Sequence, residues 1–376
     1  MTADINESDQ LASDLPKQYE LLGKIRVGGM GAIYKAQNRF TKQFCAIKVL
    51  RPDVADDPLT RQRFTVEAKA ASSLKHPNIC QVFDFGETQG DALYLVMEWI
   101  DGISLEDRVS VSGPLSEAEA IPIFLQVCSA LSFAHTNHVV HRDLKPDNIM
   151  VTTDPKTGHY QVRLVDFGIA KVVKPDPGLP AVDGLTQTGT IVGTPSYMSP
   201  EQARAKQVDG RSDIYSFGCV MYFALSGAPP FLGDSFMDVL YKHVNVNAPP
   251  LDAKLKVSPA LNVIMLKSLE KKIEDRYQSI EELATDLKKL SKGVKIGRKV
   301  LAKDRQQQRQ NIIRVACFLL AFGLMYAFGI WMDKLAHPAP GATGAKGAAA
   351  GSDGASASKA ADGHKTSATR RKKTKP

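Results

Sequence analysis

Between residues 141 and 148 the chain reads His-Arg-Asp-Leu-Lys-Pro-Asp-Asn, which sets a carboxylate, an ammonium and a carboxamide in one short loop between apolar segments. Those groups suit the transfer of a phosphoryl group. Asp143 can orient and deprotonate a hydroxyl, Lys145 can neutralise charge on the group in flight, and Asn148 can hold a magnesium ion. Alone, the octapeptide also reads as a solvated turn, so the reading rests on the stretches that must position it and bring it a phosphate donor.

Several stretches have that capacity. Residues 19–36 form two β-rich runs around Gly28, Gly29, Met30 and Gly31, which predicts a hairpin whose backbone N–H groups can approach phosphates; a plain tight turn fits the same pattern. Cys45-Ala46-Ile47-Lys48 is an apolar strand ending in a lysine, and a lysine there calls for an anion. The spacing of residues 61–75 predicts a helix with Phe64, Ala68, Ala71 and Leu74 on one face and Glu67 in its middle. Residues 80–86 and 92–98 read as two more strands, and a helix capped by Ser116 runs to about His135. His135 and His138 read as structural groups. After the loop, a strand over 162–165 ends in Asp166-Phe167-Gly168, and residues 209–225 predict another apolar-faced helix.

Together these stretches resemble the eukaryotic-type (Hanks-type) protein kinases, and the Gly-Gly-Met-Gly run is similar to that of bacterial transmembrane serine/threonine kinases. The resemblance covers about residues 19–290. It implies an α+β fold of two lobes, a small β-rich one and a larger helical one, with ATP and Mg2+ as cofactors. The implied nucleotide site comprises Ile25, Val27, Gly28, Gly29, Met30, Gly31, Ile33 and Ala46, with Met97 as gatekeeper and Glu98 and Ile100 presenting backbone groups to the adenine. Lys48 is implied to touch the α- and β-phosphates and to pair with Glu67 in the active state. Asp143 and Lys145 take the catalytic roles, while Asn148 and Asp166 hold the metal.

The resemblance further makes residues 166–201 an activation segment; Thr186 and Thr188 then read as autophosphorylation sites, Thr190 as a weaker one, with Arg142 as the guanidinium that meets the phosphate, and a polar flexible loop without modification fits the same stretch. Thr194 matches a substrate-site threonine. Asp213 is implied to brace the catalytic loop, and Arg276 to pair with Glu201. Lys145, two residues beyond Asp143, implies serine/threonine rather than tyrosine specificity. Two positions depart from the pattern: Ser199 replaces the usual alanine of the closing triplet, a small-for-small change, and Arg26 stands where the first glycine is expected. The Arg26 departure alone favours a second reading, a membrane-bound pseudokinase acting as a scaffold. A small-molecule kinase is disfavoured by the complete activation segment, which serves to present a peptide.

At 376 residues and 43% hydrophobic content the chain can bury a sizeable core. Its net charge of +8 is unevenly spread: residues 291–314 carry eight Lys or Arg against Asp304 alone, and residues 315–376 carry nine against three acids. The first 290 residues are therefore net acidic, which argues against a nucleic-acid partner. The five cysteines are widely spaced and read as reduced, packed thiols. Residues 1–18 read as a disordered polar leader, 19–290 as the kinase domain and 291–311 as a basic juxtamembrane segment. Residues 312–332 read as a transmembrane helix and 333–376 as a disordered Ala/Gly/Ser/Lys-rich tail. The positive-inside rule then puts the kinase domain in the cytoplasm and the tail outside, with the basic stretch against anionic lipid headgroups. Gly323 and Ala327 form a small-xxx-small pair compatible with a homodimer.

Overall fold

The computed structural model describes residues 14–28, 31–51, 58–154, 156–167 and 195–294, and beyond them Gly323, Met325 and Phe328, which are helical and belong to a separate C-terminal unit. The first layer is an antiparallel sheet of β1 (Tyr19–Gly28), β2 (Gly31–Asn38), β3 (Phe44–Leu50), β4 (Val82–Glu87) and β5 (Leu93–Glu98), in the order β1-β2-β3-β5-β4. Side chains alternate across a strand, and β3 and β5 are apolar on both faces. Cys45, Ile47, Val49, Tyr94 and Val96 bury on one side, and Ala46, Leu50, Leu93, Leu95 and Met97 on the other. Such strands must be covered above and below.

One cover is α1 (Pro58–Ser73), which sets Phe64, Ala68 and Ala71 on the sheet. It begins at Pro58 rather than at the expected residue 61, because proline is pre-set for the first helical position. The other face is closed by Tyr19 and by Leu15, which is 3% exposed. The expected leader over 1–18 is therefore too long by its last residues: Leu15 is drawn into the core by an outer sheet face that water would otherwise meet.

The second lobe is helical. It contains β6 (Ile103–Ser104), α2 (Leu105–Ser112), α3 (Glu117–Thr136), β7 (Ile149–Thr153), β8 (Tyr160–Leu164), α4 (Pro200–Ala203), α5 (Gly210–Ser226), α6 (Phe236–Asn245), α7 (Pro259–Ser268) and α8 (Ile280–Ser291). Ser116 caps α3 reciprocally with Glu119, as the Ser-x-x-Glu spacing dictates. α5 starts on Asp209 and stops at Gly227, whose φ of 83° is the left-handed state a glycine adopts without strain. Phe124 of α3 meets Phe217 of α5 edge to face, with ring centroids 5.7 Å apart. Among the described residues α3 is the one helix long and apolar enough to cross a bilayer by length and composition, but Ile123, Phe124, Val127 and Leu131 place it in this core. The expected span over 312–332 and the tail lie outside the described residues, apart from the three helical positions already named. Cys45, Cys80, Cys128 and Cys219 are buried free thiols, and Cys317 lies outside the described residues.

Two buried histidines make this lobe sensitive to acid. His243 is fully buried, its Nδ1 3.0 Å from the Tyr215 hydroxyl, and burial pushes it down to about 3, with the Lys271 charge adding to the effect. His141 is also pushed below its ordinary value by burial, against the opposing pull of Asp213. The unfolded chain takes up protons near pH 6.5 that the folded chain refuses, so this stability is present above that pH and is lost as the pH falls. Between pH 6.5 and 5, His243 alone should remove about 2 kcal/mol. Thermal melts across that range should show the fall, and His243→Phe, whose ring can keep the edge contacts with Tyr215 and Phe231, should make it shallower, leaving the share of His141.

Candidate active site

The loop after α3 is fixed from below. Asp213, in the first turn of α5 and 1% exposed, accepts the His141 N–H at 2.8 Å and the Arg142 N–H at 2.9 Å. His135, at the end of α3, bonds the same carboxylate through Nε2 at 2.8 Å. Arg142 and Asp166 both sit at positive φ, 61° and 57°. That conformation costs a non-glycine residue about 1–3 kcal/mol and persists only where surrounding contacts enforce it. The two Asp213 bonds do so for the catalytic loop.

Within the loop, Asn148 Nδ2 donates to the Asp143 backbone oxygen at 2.8 Å and lies 3.2 Å from Asp143 Oδ2, while Lys145 Nζ is 3.3 Å from the same oxygen. Asp143, Lys145 and Asn148 thus converge as their spacing suggests. Asp166 joins them through the β7–β8 pairing: Ile149 opposes Leu164, and the Val165 N–H donates to the Asn148 carbonyl at 3.0 Å. Residues separated by a whole hairpin therefore emerge at one end of it. Lys48 Nζ meets Asp166 Oδ1 at 2.8 Å. The Asn148 amide nitrogen is committed to Asp143, which leaves its Oδ1 as the atom that can bind a metal, and Asp166 can offer the carboxylate oxygen that does not face Lys48. Oxygen donors suit a hard cation such as magnesium. Among the described residues no group of three or more His, Cys, Asp and Glu forms a ready metal cage, so a metal here must take further oxygens from its substrate or water.

The ion pairs differ from expectation at one place. Lys48 pairs with Asp166, and Glu67 of α1 pairs with Arg142 Nη1 at 3.3 Å. The left-handed backbone at Arg142 turns its guanidinium toward α1, while Lys48 on the central strand meets the Asp166 carboxylate first.

Above the loop, Gly31 permits a close approach: a Cβ there would collide with the Val49 carbonyl oxygen. Ile25 and Val27 on β1 are exposed, whereas Ile33 packs partly and Ala46 fully into the cluster behind the cleft. Met97 lines a recess with Cys80, Val82, Leu95, Asp166 and Phe167, and Phe167 packs on the His141 ring with centroids 4.6 Å apart. Glu98 continues from Met97 with its N–H on the Gln81 carbonyl at 2.8 Å, and Ile100 follows as a half-buried neighbour of the same cluster. Glu201 and Arg276 form a buried double hydrogen bond at 2.7 and 2.8 Å, with Ser212 Oγ donating to Glu201 at 2.6 Å. Burial alone would raise the Glu201 carboxyl, but these bonds and the Arg276 charge outweigh it and hold it below the usual carboxylate range. Gly29, Met30, Gly168, Thr186, Thr188, Thr190 and Thr194 lie outside the described residues.

Three contacts had no local signal in the sequence. Besides His135, Gln202 Nε2 donates to the Arg142 carbonyl at 2.7 Å, and Arg26 Nη2 meets Asp147 Oδ1 at 2.8 Å.

Comparison with known proteins agrees with this geometry. Residues 19–289 match the family model described as "Protein kinase domain". The chain is 41% identical over 283 residues to the serine/threonine-protein kinase PknB of Mycolicibacterium smegmatis, a match spanning 74% of this chain and 44% of that protein. A probable serine/threonine-protein kinase PknB of Corynebacterium glutamicum is 42% identical, over 73% of this chain and 42% of that protein. The chain thus spans less than half the length of the curated relatives it matches. The crystal structure of a double mutant of the Mycobacterium tuberculosis PknI kinase domain superposes with a TM-score of 0.58 at 27% identity, covering 74% of this chain and 98% of that one. With a match over most of its length and the catalytic loop assembled as described, the chain belongs to the protein kinase domain family, beside the bacterial serine/threonine-protein kinases.

Proposed function

We propose that the chain is a membrane-anchored serine/threonine protein kinase that uses ATP and magnesium and phosphorylates its own activation segment. The observation that carries the reading is the convergence of Lys145 and Asn148 on the Asp143 carboxylate, with Asp166 and Lys48 joined beside it. In the proposed step, Asp143 accepts the proton of a serine or threonine hydroxyl as its oxygen attacks the γ-phosphorus. The bond to the β-phosphate oxygen breaks and ADP leaves, while Lys145 balances charge on the transferring group. Magnesium, held by Asn148 and Asp166, would neutralise the phosphate oxygens. Ile25, Val27, Gly28, Gly31, Ile33, Ala46, Met97, Glu98 and Ile100 would surround the nucleotide.

The Glu67–Arg142 pair suits a phosphate switch. A phosphate on Thr186 or Thr188 would compete for Arg142 and release Glu67 toward Lys48. The basic stretch before residue 312 supports an anchor whose kinase side faces the cytoplasm and anionic lipid, and paired anchors would favour phosphorylation between two copies. The scaffold reading leaned on Arg26 alone. Arg26 stays paired with Ile33 of β2, without a left-handed backbone that would favour glycine, which supports the catalytic reading over the scaffold.

The test incubates the purified chain with labelled ATP and magnesium, maps the phosphate by mass spectrometry, and repeats both with Lys48→Met and with Thr186, Thr188 and Thr190 replaced by alanine. The reading expects label on Thr186 or Thr188 in the parent chain, none in Lys48→Met, and weak transfer by the triple variant. Full activity of the triple variant would remove the switch. Nucleotide binding without any transfer would restore the scaffold.

A further inference from the structure

We infer that Arg26 and Asp147 form a latch across the nucleotide cleft that holds β1 against the loop over 141–148 and slows nucleotide release. This rests on the nucleotide site proposed above. Arg26 lies on β1, two residues before Gly28, where the register against β2 shifts between Lys24 and Arg26. Such a bulge re-aims a side chain. Asp147 lies on the other lobe, in the short helical turn Pro146–Asn148 that follows Lys145. Their 2.8 Å contact therefore ties the strand leading into the turn to the loop that carries Asp143 and Asn148.

The surroundings favour a guanidinium at this place. Its hydrogen bond to Asp147 raises the Arg26 pKa against the cost of desolvation, and the charges of Asp147, Asp107 and Asp166 add to it. Glu106, beside Asp107 at the start of α2, is pushed up by burial and then by Asp147 and Asp107, the mark of crowded carboxylates. A cation that relieves the crowding is held by more than one partner. For a nucleotide to leave between the two lobes, β1 must lift, and lifting it breaks the contact. A glycine at position 26 would supply neither the charge nor the tether.

The test uses the whole chain and stopped-flow release of N-methylanthraniloyl-ADP with magnesium, with Arg26→Gln, Asp147→Asn, the double variant, and the exchanged pair Arg26→Asp with Asp147→Arg. Because the pair is partly exposed, each single variant should speed release by about two- to fivefold. The double variant should be no faster than the faster single one, and the exchanged pair should return to within about twofold of the parent. The apparent KM for ATP should rise in the single variants. Singles that release at the parent rate, or effects that multiply in the double variant, would overturn the latch while leaving the nucleotide site intact. A parent chain that binds no nucleotide would overturn both.

Discussion

Asp143→Asn should lower kcat for phosphoryl transfer by about 10²- to 10⁴-fold, equivalent to about 3–5 kcal/mol on the barrier, with nucleotide affinity within about twofold of the parent. The asymmetry follows from where the carboxylate sits. Asp143 Oδ2 is flanked by Lys145 Nζ at 3.3 Å and Asn148 Nδ2 at 3.2 Å, and the Asp143 N–H is tied to the His141 carbonyl at 2.8 Å. Asparagine keeps the shape and the backbone tie but cannot accept the hydroxyl proton. The nucleotide contacts proposed for Lys48, the glycine turn and residues 97–100 do not pass through this side chain. Single-turnover transfer to a generic basic protein, with nucleotide affinity and the melting temperature measured on the same preparation, separates the chemistry from folding. Transfer within tenfold of the parent would mean that Asp143 is not the base. Asp213→Asn should behave differently. It weakens the charge that holds the His141 and Arg142 amides at 2.8 and 2.9 Å, so activity and melting temperature should fall together.

That contrast marks how far the sequence could be read. Residues 141–148 are a local string, so the grouping of Asp143, Lys145 and Asn148 was legible once the neighbouring stretches weighed against a plain turn. Asp166, at the end of an apolar strand, came with the family pattern, as did Asp213, Glu201 and Arg276. What stayed hidden was the choice of partner among charges distant in sequence. Lys48 was expected to pair with Glu67, and only the folded chain shows Lys48 on Asp166 and Glu67 on Arg142. Arg26 was visible as a departure, yet nothing near it in the chain named Asp147, 121 residues away. Leu15 was hidden for another reason. It is one apolar residue in a polar stretch, and its burial depends on an outer sheet face that exists only once β3 and β5 are paired.

Arg276→Met should destabilise the kinase domain by about 3–5 kcal/mol, because it leaves a buried carboxylate without its counter-charge. The Arg276 and Glu201 side chains are 0% and 4% exposed. Besides its two bonds to Glu201, Arg276 donates to the carbonyls of Glu270 at 2.7 Å, Arg211 at 3.1 Å and Lys271 at 3.3 Å, and its guanidinium lies 4.9 Å from the Tyr215 ring centre. Methionine abandons all of these acceptors at once. Lysine keeps the charge but cannot bridge both Glu201 oxygens, so Arg276→Lys should lose roughly half as much. Removing the stranded charge as well, in Arg276→Met with Glu201→Gln, should cost less than the sum of the single losses. For a domain of this size the Arg276→Met loss corresponds to a melting temperature lower by roughly 10 °C. The defect should also reach the active site. Glu201 lies in the first turn of α4, next to Gln202, whose amide holds the Arg142 carbonyl at 2.7 Å. If Arg276→Met melted early but kept full activity at low temperature, the pair would serve stability alone. A fall in kcat well below the melting range would show that it also holds the residues beside Asp143 in place.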